Sequence, residues 1–326
     1  MIKRVGFSVS ANRKIGIGHL IRSLSLASYL KDTTSIEVLF FMKNGGKGKD
    51  IVEDRGFEVT SKDDVILKRF KPQIMIIDMR EVDIRYIQLL KGRGIKVICL
   101  DNVGDSRNMS DIVINGIVHL PYKDSSQPKI YEGPDYIILN SDFVEVHDKH
   151  KPIKEKVTKI LVTFGGSDPC GLTIKVIDAL SKQIFDLEIT VVIGILFNGR
   201  EKLERLLYGK RNLVLREGIK NMASLMYEAD LCLTSFGITC YELACAGVPT
   251  IIISPTSYHN ELAKIFARFG TSIDLGIGRY VTSSKILDAV NSLCNNRALR
   301  EDMSVSGKRL IDGRGIDRVA KIILDA

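Results

Sequence analysis

No stretch of the 326-residue chain is apolar for long enough to cross a bilayer, which takes about 20 residues. The opening MIKRVGFSVSANRK has neither the apolar core nor the small-residue cleavage site of a secretory signal. Together these absences point to a cytoplasmic protein with no membrane span. Cysteine is scarce: none of the six (Cys99, Cys170, Cys232, Cys240, Cys245, Cys294) forms Cys-x-x-Cys, which argues against a zinc knuckle or a redox pair. Most stand in apolar runs, where they read as small, reduced core residues. The phosphate-binding Gly-x4-Gly-Lys-Ser/Thr is missing, and GGKGKD at Gly45–Asp50 does not supply it. Neither Gly-x-Ser-x-Gly nor His-Glu-x-x-His occurs. There is no Asp-x-Asp, an element that holds a divalent metal against a diphosphate. A diphosphate site here would rest on helix ends and basic side chains, and the expectation is no metal and no cofactor.

What is present is an ordinary globular composition with a net charge of +8. That charge suits an anionic partner, but the basic residues are spread along the chain rather than interleaved with aromatics. No nucleic-acid motif appears, so no nucleic acid is expected as partner. The length predicts two domains. Strand-like runs are expected at Val5–Ser10, Ile36–Met42, Phe57–Val59, Ile74–Asp78, Lys96–Leu100, Asp111–Asn115 and Tyr136–Leu139. A second set is expected at Lys159–Phe164, Glu188–Ile193, Leu213–Arg216, Leu231–Thr234, Thr250–Ile253 and Ser272–Asp274. Helical patterns alternate with them, and near-continuous apolar strands such as ILVTF and TIIIS are typical of parallel sheets covered on both faces. The fold class is therefore α/β, with two doubly wound Rossmann-like domains facing a cleft. The charged segment 147–157 is expected to be a linker between residues 1–146 and 158–326, and its basic run KHKPIKEK to be solvated.

Polar residues gather where strands are expected to end. IGIGH (Ile15–His19) follows the first strand. Gly16 and Gly18 would admit a ligand close to the backbone, and His19 would stand at a helix start, placed for acid–base work. A plain strand-to-helix turn with a surface histidine fits equally, because the dinucleotide fingerprint Gly-x-Gly-x-x-Gly fails at Ile21. TFGGSDP (Thr163–Pro169) lies between an apolar strand and the helical LTIKVIDALS. Gly165, Gly166 and Ser167 there offer amides at a helix N-terminus, which suits a phosphate. In TSFGITCYELACAGVPTIII (Thr234–Ile253), a strand ends at Ser235, Gly237 opens a turn and a helix begins near Thr239. Thr239-x-x-Glu242 is a capping box on one reading. On another, Glu242 holds two ribose hydroxyls while the loop holds a pyrophosphate. In SYHNELA (Ser257–Ala263), His259 and Asn260 either line the cleft or simply start a helix.

The ordered set IGIGHLIR, FGGSDP, GIKNMASLMYEADLCLTSFGITCYELACAGVP and IDGRGIDRVA resembles the PseG/SpsG family. DNVGDSRNMSDIVING (Asp101–Gly116) and GPDYIILNSDF (Gly133–Phe143) match in place as well, so the resemblance spans nearly the whole chain. That family includes the UDP-sugar hydrolase of pseudaminic acid synthesis and a spore-coat polysaccharide protein, and is related to MurG glycosyltransferases. The resemblance implies a glycosyltransferase-B architecture and hydrolysis of a UDP-linked, acetamido-substituted deoxysugar. On it, His19 matches the water-activating histidine, Gly165, Gly166 and Ser167 the loop beside the pyrophosphate, Ile219 and Met222 the uracil side, and Glu242 the ribose ligand. Arg22 and His259 are second candidates for touching sugar or phosphate. Three positions that face the sugar by this analogy depart from the family pattern. Tyr258-His259 stands in place of Asn-Gln, Met79-Arg80 where an aromatic is common, and Asn140 in place of an arginine. Transfer of the sugar to an acceptor hydroxyl is the alternative to hydrolysis.

Overall fold

The computed structural model describes residues 2–10, 17–43, 46–63, 65–79, 82–101, 104–117, 129–182 and 187–326. Gly16 and Arg80 lie outside them. The elements run β1 (Arg4–Val9), α1 (Gly18–Thr33), β2 (Glu37–Phe41), α2 (Gly46–Asp54), β3 (Glu58–Thr60), β4 (Ile74–Asp78), α3 (Ile84–Lys91), β5 (Lys96–Leu100), β6 (Ile112–Asn115) and β7 (Lys129–Glu132). They continue with α4 (Asp142–Asp148), β8 (Lys159–Thr163), α5 (Leu172–Leu180), β9 (Glu188–Ile193), α6 (Arg200–Leu207), β10 (Leu213–Glu217), α7 (Met222–Glu228) and β11 (Leu231–Thr234). The last are α8 (Ile238–Cys245), β12 (Thr250–Ser254), α9 (Ser257–Ala267), β13 (Ser272–Ile277), α10 (Ser283–Asn295), α11 (Arg297–Leu310) and α12 (Gly315–Leu324).

The chain forms two compact units, Met1–Ser141 with Arg314–Ala326, and Asp142–Gly313. The first holds a seven-stranded sheet in the order β3-β2-β1-β4-β5-β6-β7, the second a six-stranded sheet in the order β10-β9-β8-β11-β12-β13. All strand pairs are parallel. Each sheet therefore repeats the 3-2-1-4-5-6 order of a Rossmann fold. Residue alternation builds the cores. On one face of the first sheet, Val5, Phe7, Ile74, Ile76, Ile98 and Ile112 pack with Leu20 and Leu24 of α1. On the other, Met75, Ile77, Val97 and Val113 pack with Ile87 and Leu90 of α3. In the second unit Ile160, Val162, Val191 and Leu233 pack with Val176 and Ile177 of α5.

Three expectations are corrected. The run Tyr136–Leu139 is not a strand; Pro134–Tyr136 form a 3-10 turn, and the edge strand is β7 instead. Ile137–Leu139 is buried without ladder partners, and a side chain at Gly315 would meet the Ile137 oxygen at 2.1 Å, so this apolar run packs on the start of α12. Next, α12 belongs to the first unit, not to a domain ending the chain: Ile316, Val319 and Ile323 join the core beside α1. Finally, segment 147–157 is fastened to the second unit. Lys151 is buried and its ammonium donates to the carbonyls of Tyr227 and Ala229. Burial pushes that ammonium down to about 8. Arg300, also buried, donates to the carbonyls of Lys154 at 2.6 Å and Glu155 at 3.0 Å.

Candidate active site

In a sheet of this order, ligands bind at the carboxyl ends of the two strands that flank the reversal, here β1 and β4. The apolar strand IMIID ends there on Asp78, which is 1% exposed. Its carboxylate accepts from His19 Nδ1 at 2.7 Å, Arg22 Nε at 2.9 Å and Ser23 Oγ at 2.9 Å, and also from Arg22 Nη2. The three donors are three and four residues apart, so one face of α1 converges on a single carboxylate. Arg22 Nη1 reaches Asp101, the residue after β5, whose other oxygen accepts from Gly116 N at 3.0 Å. Asp101 stands in left-handed backbone (φ 46°). Aspartate tolerates that region better than most residues, and here the side-chain bonds hold it in place.

The electrostatics fix a tautomer. Burial pushes the Asp78 carboxyl up, but the charges and hydrogen bonds of Arg22 and His19 outweigh it and hold the group well below the usual carboxylate range. An ionised Asp78 only accepts, so the short bond to His19 requires the proton on Nδ1. Arg22 Nη2 lies 3.1 Å from the same nitrogen but cannot donate to it once protonated, and gives its hydrogen to Asp78 instead. In the neutral ring the lone pair is then on Nε2, and the ring is partly exposed at 18%. Arg22 itself is 4% exposed and bridges two carboxylates, so the expectation that it touches sugar or phosphate gives way to a role inside the cluster. No three His, Cys, Asp or Glu side chains among the described residues are arranged to hold a metal ion. The cation at this cluster is the guanidinium. Gly18, the first residue of α1, is exposed beside it.

In the second unit the equivalent reversal lies between β8 and β11. Gly165 follows β8 in left-handed backbone (φ 77°), a conformation that favours glycine. Gly166 lies so close to the end of β9 that a side chain at Gly194 would meet its Cα at 2.4 Å. The N-terminus of α5, expected to serve a phosphate, is occupied by the chain's own Asp168, which accepts from Leu172 N at 2.9 Å and Thr173 N at 2.7 Å. The loop's remaining donors are the amides and hydroxyl of Gly165–Ser167.

After β11, Ser235 and Gly237 lead into α8, whose start has no side-chain cap and no acidic residue in its first turn. The helix begins at Ile238, so Thr239 is already helical and the capping-box reading fails. The Glu242 carboxyl is instead hydrogen-bonded to Thr239, which lowers its pKa; burial outweighs that and raises it to about 7. Ile219 and Met222 are half-buried beyond the carboxyl end of β10. His259 pairs its Nδ1 with Thr256 Oγ1 at 2.7 Å at the start of α9. Asn260 is buried and donates to Asp274 Oδ2 at 2.9 Å, tying α9 to β13 rather than facing outward.

The residues missed from sequence are Asp78, Asp101, Ser23 and Asn115. Asn115 ends β6, is 1% exposed, and both amide atoms lack a hydrogen-bond partner among the described residues. Such an orphan costs about 1–3 kcal/mol per group. A common signal existed: IMIID, ICLD and IVIN are apolar runs that each end on one polar residue at the carboxyl edge of a strand.

No family model matches the chain. It is 30% identical over 344 residues to MJ1062 of Methanocaldococcus jannaschii, an uncharacterized protein, across 95% of this chain and 70% of that one. It is 29% identical over 336 residues to the spore coat polysaccharide biosynthesis protein SpsG of Bacillus subtilis, covering 98% of each. The chain belongs to the PseG/SpsG family. Among solved structures, MurG of Acinetobacter baumannii superposes with a TM-score of 0.71 at 17% identity, covering 99% of this chain and 100% of that one. UDP-GlcNAc 2-epimerase from Neisseria meningitidis, bound to UDP-GlcNAc, gives 0.65 at 13% identity, with 99% and 100% covered. These likenesses establish the fold of this PseG/SpsG-family chain as glycosyltransferase-B-like, with two Rossmann-like units.

Proposed function

We propose that the protein is a nucleotide-sugar hydrolase that cleaves UDP from a UDP-2,4-diacetamido-2,4,6-trideoxyhexose, without a metal, in nonulosonic (pseudaminic-type) acid synthesis. The observation that carries the proposal is the 2.7 Å pairing of His19 with buried Asp78 at the reversal of the first sheet. It leaves His19 Nε2 as a base. Water gives its proton to Nε2 as its oxygen bonds to the anomeric carbon. The bond from that carbon to the β-phosphate oxygen breaks, and UDP leaves with the electron pair. The leaving charge falls to the amides of Gly165–Ser167 and the uncapped start of α8, around Phe236–Thr239. Glu242 accepts from the ribose hydroxyls, and Ile219 and Met222 sit on the uracil side.

The SpsG relative supports work on polysaccharide precursors, and the epimerase supports a UDP-sugar in this fold. The likeness to MurG favours a second reading, a glycosyltransferase in which His19 activates an acceptor hydroxyl instead of water. The test is UDP release from a panel of UDP-diacetamido-trideoxyhexoses in EDTA with no acceptor, comparing wild type with His19→Ala. Hydrolysis predicts release by wild type and a loss of about 10²–10⁴-fold in the variant. Saturable UDP binding with no release would refute hydrolysis of these sugars and favour transfer.

A further inference from the structure

A second cleft, of about 450 Å³, opens at the other end of the first sheet. Lys96 and Lys129 are the first residues of β5 and β7, so the cleft lies at the amino ends of these strands. β5 has five residues, which puts the cleft about 15 Å from Asp101. One wall is α12, through Arg318 and Lys321. Another is the pair Tyr131 and Tyr136, edge to face with ring centroids 5.5 Å apart.

Charge here is lopsided. Four cations line the cleft against two side-chain carboxylates, Asp111 and Asp325, although Lys96 already donates to the Ala326 oxygen at 2.6 Å and Arg318 to the Asp135 carbonyl at 3.0 Å. Asp111 is already committed: it pairs with Lys91 at 2.9 Å and accepts from Val97 N at 2.8 Å. Lys129 lies over the Tyr131 ring, 5.1 Å from its centroid, a partner without net charge. Lys321 makes no ion pair with a described residue. The surplus positive potential attracts anions, and the two rings offer a flat apolar surface. The volume falls within the range of small-molecule pockets.

We propose that this cleft binds a small anion carried on a ring, a sugar acid or sugar phosphate, separately from the site at the carboxyl ends. The anionic group meets Lys129, Lys321 and Arg318 while the ring lies against the tyrosines. Such a ligand would clamp the last turns of α12 to the sheet edge.

The chain has no tryptophan, so Tyr136→Trp places a single indole in the cleft. Its emission is followed against glucuronate, ribose 5-phosphate and inorganic phosphate at matched ionic strength. The first two separate a carboxylate from a phosphate ester; the third removes the ring. The expected result is saturation by one of the ring anions with Kd of about 1 mM or tighter, weakened about tenfold or more by Lys129→Glu with Lys321→Glu. No saturation, an equal response to inorganic phosphate, or an unchanged response in the charge-reversed protein would each overturn the proposal. Should Tyr136→Trp fail to fold, Tyr131→Trp carries the same reporter on the opposite ring.

Discussion

Replacing Asp78 by asparagine keeps the shape of the side chain and removes its charge. The consequence is calculable because every partner is named: His19, both Arg22 contacts and Ser23 converge on that carboxylate. Two unit charges about 4 Å apart attract by about 4 kcal/mol at an effective dielectric constant near 20. Breaking one side of a buried pair typically costs 3–5 kcal/mol. Asp101 still holds Arg22 in the variant, so the expected loss is at the lower end, about 3 kcal/mol, read by urea unfolding at pH 7. The folded carboxyl titrates below its unfolded value, so its contribution is present above about pH 3.9 and disappears as pH falls. The gap between wild type and Asp78→Asn must therefore close in acid. The asparagine amide can donate to His19 Nδ1, which moves the ring proton to Nε2 and removes the proposed base. UDP release should fall by about 10²–10⁴-fold. In a His19→Ala background the same substitution should cost little further activity, because Asp78 acts through the ring. An Asp78→Asn protein that is destabilised yet turns over at the wild-type rate per folded molecule would refute the reasoning.

Glu242 gives the opposite pH sign. Its folded pKa, about 7, lies above the unfolded value, so its contribution to stability is lost as pH rises through 7. Glu242→Gln should stabilise the free protein above pH 7 by up to about 3 kcal/mol, measured by thermal or urea unfolding. If ribose hydroxyls donate to the carboxylate, wild-type UDP affinity should tighten up to about tenfold between pH 6 and pH 8 with proton release, and the Gln variant should show neither change in calorimetry. Gly194→Ala would set a methyl group 2.4 Å from Gly166 Cα and push the Gly165–Ser167 loop aside. UDP titration should show about tenfold weaker binding, and urea unfolding a loss of about 1–3 kcal/mol.

The architecture was legible because strands buried on both faces must be apolar throughout: Ile74–Asp78, Lys96–Leu100, Glu188–Ile193 and Leu231–Thr234 fall where the runs put them. His19 was visible because it follows glycines at a strand-to-helix passage. Its partner was not, since 59 residues separate it from Asp78 and only the strand order brings them together. For the same reason Arg22 looked like a contact for ligand. Local sequence shows a cation and not the two distant carboxylates that enclose it. Thr239 and Glu242 had the spacing of a helix cap, and what decides against it is where α8 begins. The helix α11 has few apolar residues among many charged ones and went unseen, as did the return of α12, whose apolar stripe says that it is buried but not against what.

That return has a consequence for how the protein is made. Ile316, Val319 and Ile323 complete the core beside α1, but the ribosome reaches them only after the whole of Asp142–Gly313. At about 5–20 residues per second, the first unit waits roughly 10–35 s with one flank of its apolar interior uncovered while the second unit can already close. The first unit to be synthesised is therefore the last to be finished. Nascent chains stalled before Gly315 should carry a folded second unit beside an incomplete first one that is open to chaperones.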